Sequence, residues 1–282
     1  MRMYYILFNP LSSNGASLKQ LSKLEKLLIK KGVEYTSFDI IEISKDVDRF
    51  VNTLKPEDAV VVVGGDGTLH YFANSIRTIT NTNDIYLYKG GTGNDFSRDF
   101  KGQKLIKITD HIRNLPIVVT DDVKEEVFIN GCGFGVDGDV CAVVNSSADK
   151  KKGIQYFKKA IGALRAFKPY ELELEIDGVR HIYKDVWFLT VTNGKYFGGG
   201  MKISPTSDRN DGVLEAIVVH SVKFPVLLMI FPLIFLGKHF WFKSVGISLL
   251  RGKNFKAVSN RPLVYQTDGE VTDGVQKFSV SV

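Results

Sequence analysis

Apolar and polar positions follow two different rhythms along the chain. In the first part, short apolar runs alternate with stretches of helical period. Met3 to Phe8 reads as a strand, followed by Asn9, Pro10 and a polar loop of Ser12, Ser13, Asn14 and Gly15. Ser17 and Gln20 have capping-box spacing before a helix whose leucines at 18, 21, 24, 27 and 28 form its buried face, and Gly32 ends it. A strand over Val33 to Ile40, a helix over Ser44 to Leu54 and a strand over Ala59 to Val63 complete a βαβαβ series. Such a series demands parallel strands with right-handed crossovers, hence a doubly wound α/β domain. The third strand has five consecutive apolar residues, four of them β-branched, as a strand buried on both faces requires.

The rhythm changes after the strand Ile117 to Val119 and the polar, acidic segment Thr120 to Glu126. Val127 to Asn130, Leu172 to Ile176, Val179 to Tyr183, Val186 to Thr192, Leu214 to Val219 and Lys277 to Val282 read as antiparallel strands, with Asp177-Gly178 as one of the turns. The reading divides the chain into an α/β domain over 1–121 and a β-rich, sandwich-like domain over 122–282. Two segments depart from strand alternation. From about Lys150 to Phe167, Ile154, Phe157, Ile161 and Leu164 form an apolar stripe, while Lys151, Lys152, Lys158, Lys159 and Arg165 load the other side. This basic helix suits either an anionic membrane surface or plain solvation. Phe224 to Gly237 is an uncharged run with two prolines, well short of the ~20 residues needed to span a bilayer. It predicts a buried helix pair or the lining of an acyl-chain groove, and Phe240, Trp241 and Phe242 extend it with aromatics suited to an interface.

Candidate chemistry concentrates where strands meet glycines. Ala59 to Val63 runs into Gly64, Gly65, Asp66, Gly67 and Thr68 and then a helix-compatible run from Leu69 to Ile76. Glycines let backbone approach a ligand closely, and the helix start aims unpaired N–H groups at the same spot, so an anion such as a phosphate is expected there. An acidic side chain among phosphate-binding amides argues for magnesium held jointly with a nucleotide; the plainer reading makes Asp66 the N-cap of a tight turn. Strand Ile85 to Tyr88 leads into a second such segment, Gly90 through Arg98, with Gly91, Thr92, Gly93, Asn94 and Asp95. Two glycine loops at the carboxyl ends of parallel strands are expected to converge on one crevice.

Composition narrows the partners. The 282 residues are 44% hydrophobic and 24% charged, with a net charge of +6, which suits an anionic partner: nucleotide, nucleic acid or anionic membrane. Cys132 and Cys141 read as free buried thiols, and the N-terminus reads as a strand rather than a signal peptide, so a cytoplasmic protein is expected. The five histidines show no metal-ligand spacing, and neither a GxxxxGK[ST] loop nor a protein-kinase HRD set is present.

Gly64 to Thr68 (GGDGT) together with Gly91 to Arg98 (GTGNDFSR) resembles the diacylglycerol kinase catalytic family of soluble lipid kinases, which includes sphingosine kinases. Asn9-Pro10, Asn193 with the glycines at 198–200, Pro205 with Asp208, Asp211 and Gly212, and finally Asp268-Gly269-Glu270 follow in the family's order. A lone GGDGT is shared with NAD kinases; the second loop and the terminal DGE favour the lipid branch. The resemblance implies an N-terminal nucleotide domain, a C-terminal β-sandwich, and transfer of the γ-phosphoryl group of ATP, with magnesium, to a lipid hydroxyl, diacylglycerol first. It implies nucleotide contacts from Asn9, Gly64, Gly65, Gly67, Thr68, Gly91, Thr92, Gly93 and Asn94. It implies a water and magnesium network on Asp66 and Asp95, with Asp121 as third member. Asp208, Asp211 and the Val213 carbonyl match a structural magnesium site, and Asp268 and Glu270 match the pair near the lipid hydroxyl, Asp268 as base and Glu270 as its support. Turn-forming roles compete for Asp208, Asp211 and Asp268. Lys89-Gly90 and Ser13 depart from the family's pattern. The expected partners are ATP, a lipid alcohol and, peripherally, the inner face of an anionic membrane, with no nucleic acid and a homodimer as the commonest kind of assembly. The alternatives are a kinase of the NAD kinase type and a non-catalytic lipid-binding protein on the same fold.

Overall fold

The computed structural model describes residues 2–44, 46–80, 82–100, 102–121, 125–136, 138, 162 and 164–282. The chain forms two units, Met1–Leu115 and Pro116–Val282.

The first unit is a five-stranded sheet in the order β2-β1-β3-β4-β5, built from β1 (Tyr4–Phe8), β2 (Tyr35–Asp39), β3 (Ala59–Gly64), β4 (Asp84–Lys89) and β5 (Leu105–Lys107). The first four strands are parallel and β5 is antiparallel to β4. Every residue of β3 is buried, as its unbroken apolar run requires. Its helices are α1 (Ala16–Lys30), α2 (Val47–Asn52), α3 (Asp66–Ile76), α4 (Asp95–Arg98) and α5 (Thr109–Arg113). Leu21, Leu24 and Leu28 of α1 pack on Ile6, Val61, Val63 and Tyr88. Leu18, expected on that face, is 45% exposed. The capping box is also absent: the N-cap is Gly15, and the Ser17 hydroxyl donates to the carbonyl of Asn9 at 2.5 Å. Gly32 ends α1 as expected, with φ +64 and the Val33 N–H returning to the Leu28 carbonyl.

The second unit is an antiparallel nine-stranded sheet. Its strands are β6 (Ile117–Thr120), β7 (Glu125–Val127), β8 (Gly131–Gly135), β9 (Tyr170–Ile176), β10 (Val179–Thr192), β11 (Leu214–His220), β12 (Ile247–Gly252), β13 (Asn254–Thr267) and β14 (Glu270–Ser281). The path runs β12-β11-β10-β8-β13-β14-β6-β7, and β9 pairs with both β10 and β13, closing β9, β10, β8 and β13 into a ring of strands. Register shifts in β10 and β13 let each long strand serve two sets of neighbours. Phe134, Tyr170, Tyr265 and Phe278 fill the core, with the rings of Phe134 and Phe278 edge to face at 4.8 Å.

Three readings of the sequence meet this unit. Strand β6, assigned above to the first domain, pairs with the last strand, Ile117 opposite Ser281 and Thr120 opposite Phe278, so the contact units divide after Leu115 rather than after residue 121. The uncharged run forms one helix, α6 (Phe224–Phe235), and then a 3-10 segment, His239–Val245, in place of a buried helix pair. Among the described residues no helix is long and apolar enough to cross a membrane. Of the basic helix, residues 150–161 and 163 lie outside the described residues, as does Cys141. Leu164 and Phe167 are buried, and Cys132 is a buried free thiol.

Candidate functional site

Strand order sets the site in the first unit. Because β3 lies between β1 and β4, the loop after β1, the first glycine loop and the second glycine loop emerge side by side at the carboxyl ends of parallel strands, and the order reverses between β1 and β3. In the first of these loops the Asn9 side-chain carbonyl accepts the Leu11 N–H at 2.9 Å, a turn Asn makes readily.

The two glycine loops touch. The Gly90 N–H donates to the Gly64 carbonyl at 2.8 Å, and a Cβ on Gly91 would stand 2.3 Å from the Gly65 Cα. Gly65 and Gly91 are therefore glycines because backbone packs on backbone. Gly64 is similarly constrained, since a Cβ there would overlap the Thr68 side chain at 2.5 Å. Gly67 differs. Beyond its chain neighbours and the backbone of its own helix, a Cβ on it would meet no atom of the described residues within 4 Å, and no packing contact accounts for its lack of a side chain.

Asp66 joins the loops electrostatically. Its Oδ2 accepts the Asp95 N–H at 3.0 Å and its Oδ1 the Phe96 N–H at 2.9 Å, so it caps α4 across 29 and 30 residues of sequence. Asp66 is therefore not the N-cap of its own helix, which is Gly65; its carboxylate instead accepts the first N–H groups of α4. Within the second loop, Asn94 adopts φ +52, and its side-chain amide closes a ring by accepting the Gly91 N–H at 3.0 Å and donating to the Gly91 carbonyl at 2.5 Å. Asp95, 3% exposed, pairs with Arg98 at 3.2 Å, and Arg98 Nε also reaches the Gly93 carbonyl. Thr68 is buried and Thr92 exposed. Lys89, at the end of β4, lies below the ordinary lysine range, through burial first and then repulsion from Arg98. Two cations thus lie near the second loop, where a bound anion would relieve their repulsion.

The remaining predicted residues belong to the second unit. Asp268 and Gly269, with φ +50 and +94, are the two central residues of the tight turn joining β13 to β14, where Thr267 pairs with Glu270. The Asp268 carboxylate also accepts three backbone N–H groups, from Ile129 at 2.7 Å, Asn130 at 2.8 Å and Gly131 at 3.1 Å. Arg209 also holds this segment, donating to the Ile129 carbonyl and to the Asn130 side-chain oxygen, the latter at 2.7 Å. Glu270 is exposed. Asp121 Oδ2 accepts the N–H groups of Gln276 and Lys277, so its carboxylate fastens β14.

Asp208 and Asp211, expected as structural magnesium ligands, have protein partners in this structure. Asp211 Oδ1 accepts the Val213 N–H and its Oδ2 pairs with Arg251 at 2.6 Å, while Asp208 Oδ1 takes both nitrogens of Asn210. Arg251 also reaches the fully buried Glu215, so an arginine supplies the positive charge in this loop. Among the described residues no group of three or more His, Cys, Asp or Glu side chains is placed to hold a metal ion. Arg251, Glu215 and Arg209 carry no signal in the sequence because their partners lie from 9 to 80 residues away.

Comparison with known proteins decides the family. The profile of the diacylglycerol kinase catalytic domain matches residues 3–123, and that of the YegS C-terminal NAD kinase beta sandwich-like domain matches residues 131–280. The chain belongs to the diacylglycerol kinase family. The relatives of this lipid kinase family member include a diacylglycerol kinase of Mycobacterium tuberculosis, 28% identical over 253 residues, covering 83% of this chain and 78% of that one. A diacylglycerol kinase of Bacillus subtilis is 25% identical over 247 residues, covering 85% of this chain and 80% of its own. A crystal structure of a diacylglycerol kinase from Bacillus anthracis superposes with a TM-score of 0.66 at 17% identity, over 99% of this chain and 94% of that one, which shows the shared fold. The α/β first unit and the β-sandwich second unit are the family's architecture.

Proposed function

We propose that this family member is a lipid kinase that takes Mg·ATP as phosphoryl donor and a lipid alcohol as acceptor, diacylglycerol giving phosphatidic acid. The observation that carries this reading is the Asp66 clamp, which holds together the glycine loops after β3 and β4, beside the switch point between β1 and β3, and leaves Gly67 with open space beside it. In this reading Asn9, Gly64, Gly65, Gly67 and Thr68 line the nucleotide with Gly91, Thr92, Gly93 and Asn94. The first-turn N–H groups of α3 point at the phosphates, and Lys89 and Arg98 offset their charge. Magnesium arrives as part of the substrate. Asp66 and Asp95 are the carboxylates that would hold it, Asp66 already accepting two backbone N–H groups and Asp95 paired with Arg98.

The acceptor hydroxyl loses its proton to a carboxylate, its oxygen forms a bond to the γ-phosphorus, and the bond from that phosphorus to the bridging oxygen breaks, releasing ADP. Asp268 and Glu270 are the pair proposed for this step. The three N–H groups on Asp268 favour a positioning role for it, over Ile129 to Gly131, and so favour the exposed Glu270 as proton acceptor. That exchanges the roles the sequence suggested. Reversible docking at an anionic membrane completes the reading, since the acceptor resides in a bilayer.

The test incubates the protein with γ-labelled ATP and magnesium and one acceptor at a time: diacylglycerol, phosphatidylglycerol or a sphingoid base in vesicles, and NAD in solution. Label in diacylglycerol supports the reading. Label in NAD alone would make the chain a nucleotide-substrate kinase, and vesicle binding without ATP consumption would make it a non-catalytic lipid binder.

A further inference from the structure

Helix α6 has no charged or hydrogen-bonding side chain in any of its twelve positions, FPVLLMIFPLIF. A helix resting on a sheet can bury only one side of such a sequence. Leu227, Ile230 and Ile234 take that side, packed into the core of the second unit. The other side stays in solvent: Met229 is 60% exposed, Phe235 47% and Leu236 62%. The 3-10 segment continues the surface with Trp241, 72% exposed. Large contiguous apolar patches on a soluble unit mark a surface that meets something apolar.

The charge around this patch identifies the partner. No Asp or Glu occurs anywhere from residue 216 to 267, whereas Lys223, Lys238 and Lys243 bracket the helix and the 3-10 segment. Lys238 Nζ lies 5.0 Å from the Trp241 ring centre, and Lys243 Nζ 5.4 Å from that of Phe240. Each ammonium therefore sits beside an aromatic ring at the border of the apolar face, as lysines do when the stem lies along apolar surface and the head reaches for charge. A second copy of the chain is a poor match, because a two-fold contact places the same patch on both sides and sets lysines against lysines.

We infer that the exposed face of α6 and the Trp241 segment dock onto an anionic phospholipid bilayer, with Met229, Phe235, Leu236 and Trp241 entering the acyl boundary and Lys238 and Lys243 meeting lipid phosphates. This deepens the proposed function by naming where the kinase meets its membrane, and rests on that reading only for the purpose of docking. The insertion is shallow, and its two contributions, apolar burial and charge, are separable.

The experiment is sedimentation of the full chain with vesicles of phosphatidylcholine alone and with about equal phosphatidylglycerol, without ATP, alongside its tryptophan emission. Wild type is expected to bind the anionic vesicles with a blue shift absent in Trp241→Ser. Met229→Ser with Leu236→Ser and Trp241→Ser should weaken binding about tenfold or more, these side chains being exposed in the free protein. Lys238→Glu with Lys243→Glu should remove the preference for anionic vesicles. Equal binding by the triple variant and wild type overturns the inference, as does a wild-type dimer that the triple variant abolishes without any vesicle binding. Turnover of a short-chain, water-soluble diacylglycerol separates the two readings. Its retention in the triple variant places the defect in docking, and its absence from wild type would count against the kinase while leaving vesicle binding as the test of the surface.

Discussion

The Asp66 carboxylate accepts the Phe96 N–H at 2.9 Å, tying the first glycine loop to the first turn of α4. With the bond to the Asp95 N–H, one side chain fixes the relative position of both loops.

Removing that clamp should separate structure from turnover. Hydrogen bonds to a charged group contribute about 1.5–3 kcal/mol each, so Asp66→Ala should destabilise the first unit by a few kcal/mol. Phosphoryl transfer should fall about a hundredfold or more, because small misplacements of positioning groups are costly. Far-UV circular dichroism and turnover read the two effects. Undiminished turnover in a folded Asp66→Ala protein would contradict the nucleotide role of these loops.

The two kinds of glycine in these loops predict opposite outcomes. Gly91→Ala drives a methyl into the Gly65 backbone and should cost about 1–3 kcal/mol, seen as a lower thermal midpoint. Gly67→Ala introduces a methyl into open space at a helical position and should leave the midpoint unchanged or slightly higher, while weakening ATP binding. Equal ATP affinity in wild type and Gly67→Ala would remove the ligand explanation for that glycine.

Much of this arrangement could be read from residue types, and some could not. Five apolar residues before GGDGT identify a central buried strand, and glycines directly after two apolar strands place two loops at their carboxyl ends, because both are local patterns. Asp268-Gly269 likewise carries its turn type in its own sequence. What each aspartate bonds to was hidden. Asp66 reaches 30 residues ahead, Asp268 reaches back 139, and Asp211 is matched by Arg251, 40 residues on. Strand β6 followed the α/β series in sequence, yet its hydrogen bonds run to β14, a pairing no local pattern encodes.

The Asp268 and Glu270 pair can be resolved by conservative changes. Asp268→Asn turns a carboxylate oxygen into an amide donor facing backbone N–H groups, so it should destabilise the second unit as well as reduce turnover. Glu270→Gln, at an exposed position, should leave stability within about 0.5 kcal/mol and reduce turnover about a hundredfold, with loss of the acidic limb of the pH–rate profile. The opposite pattern, a stable but inactive Asp268→Asn and an active Glu270→Gln, would return the base to Asp268.

His239 predicts a pH dependence of stability. It is 1% exposed, and burial lowers its pKa to about 4 against the opposing effect of its bond to the Ile203 carbonyl. That carbonyl only accepts, so Nε2 carries the hydrogen, and a proton added at Nδ1 would find no acceptor among the described residues. Because the folded pKa lies below the unfolded value near 6.5, the unfolded chain binds the extra proton first. Stability is therefore full above about pH 6.5 and falls as the pH drops towards 4, by on the order of 2–3 kcal/mol. Urea midpoints across this range should slope in wild type and flatten in His239→Gln, whose amide can still donate to Ile203.

The most direct measurement of the central claim is transfer of label from γ-labelled ATP into diacylglycerol vesicles, in the presence of magnesium, by wild type and by Asp66→Ala side by side. Labelled phosphatidic acid is expected with wild type, and about a hundredfold less or none with the variant. No labelled lipid with wild type, or equal labelling by both proteins, would contradict that claim.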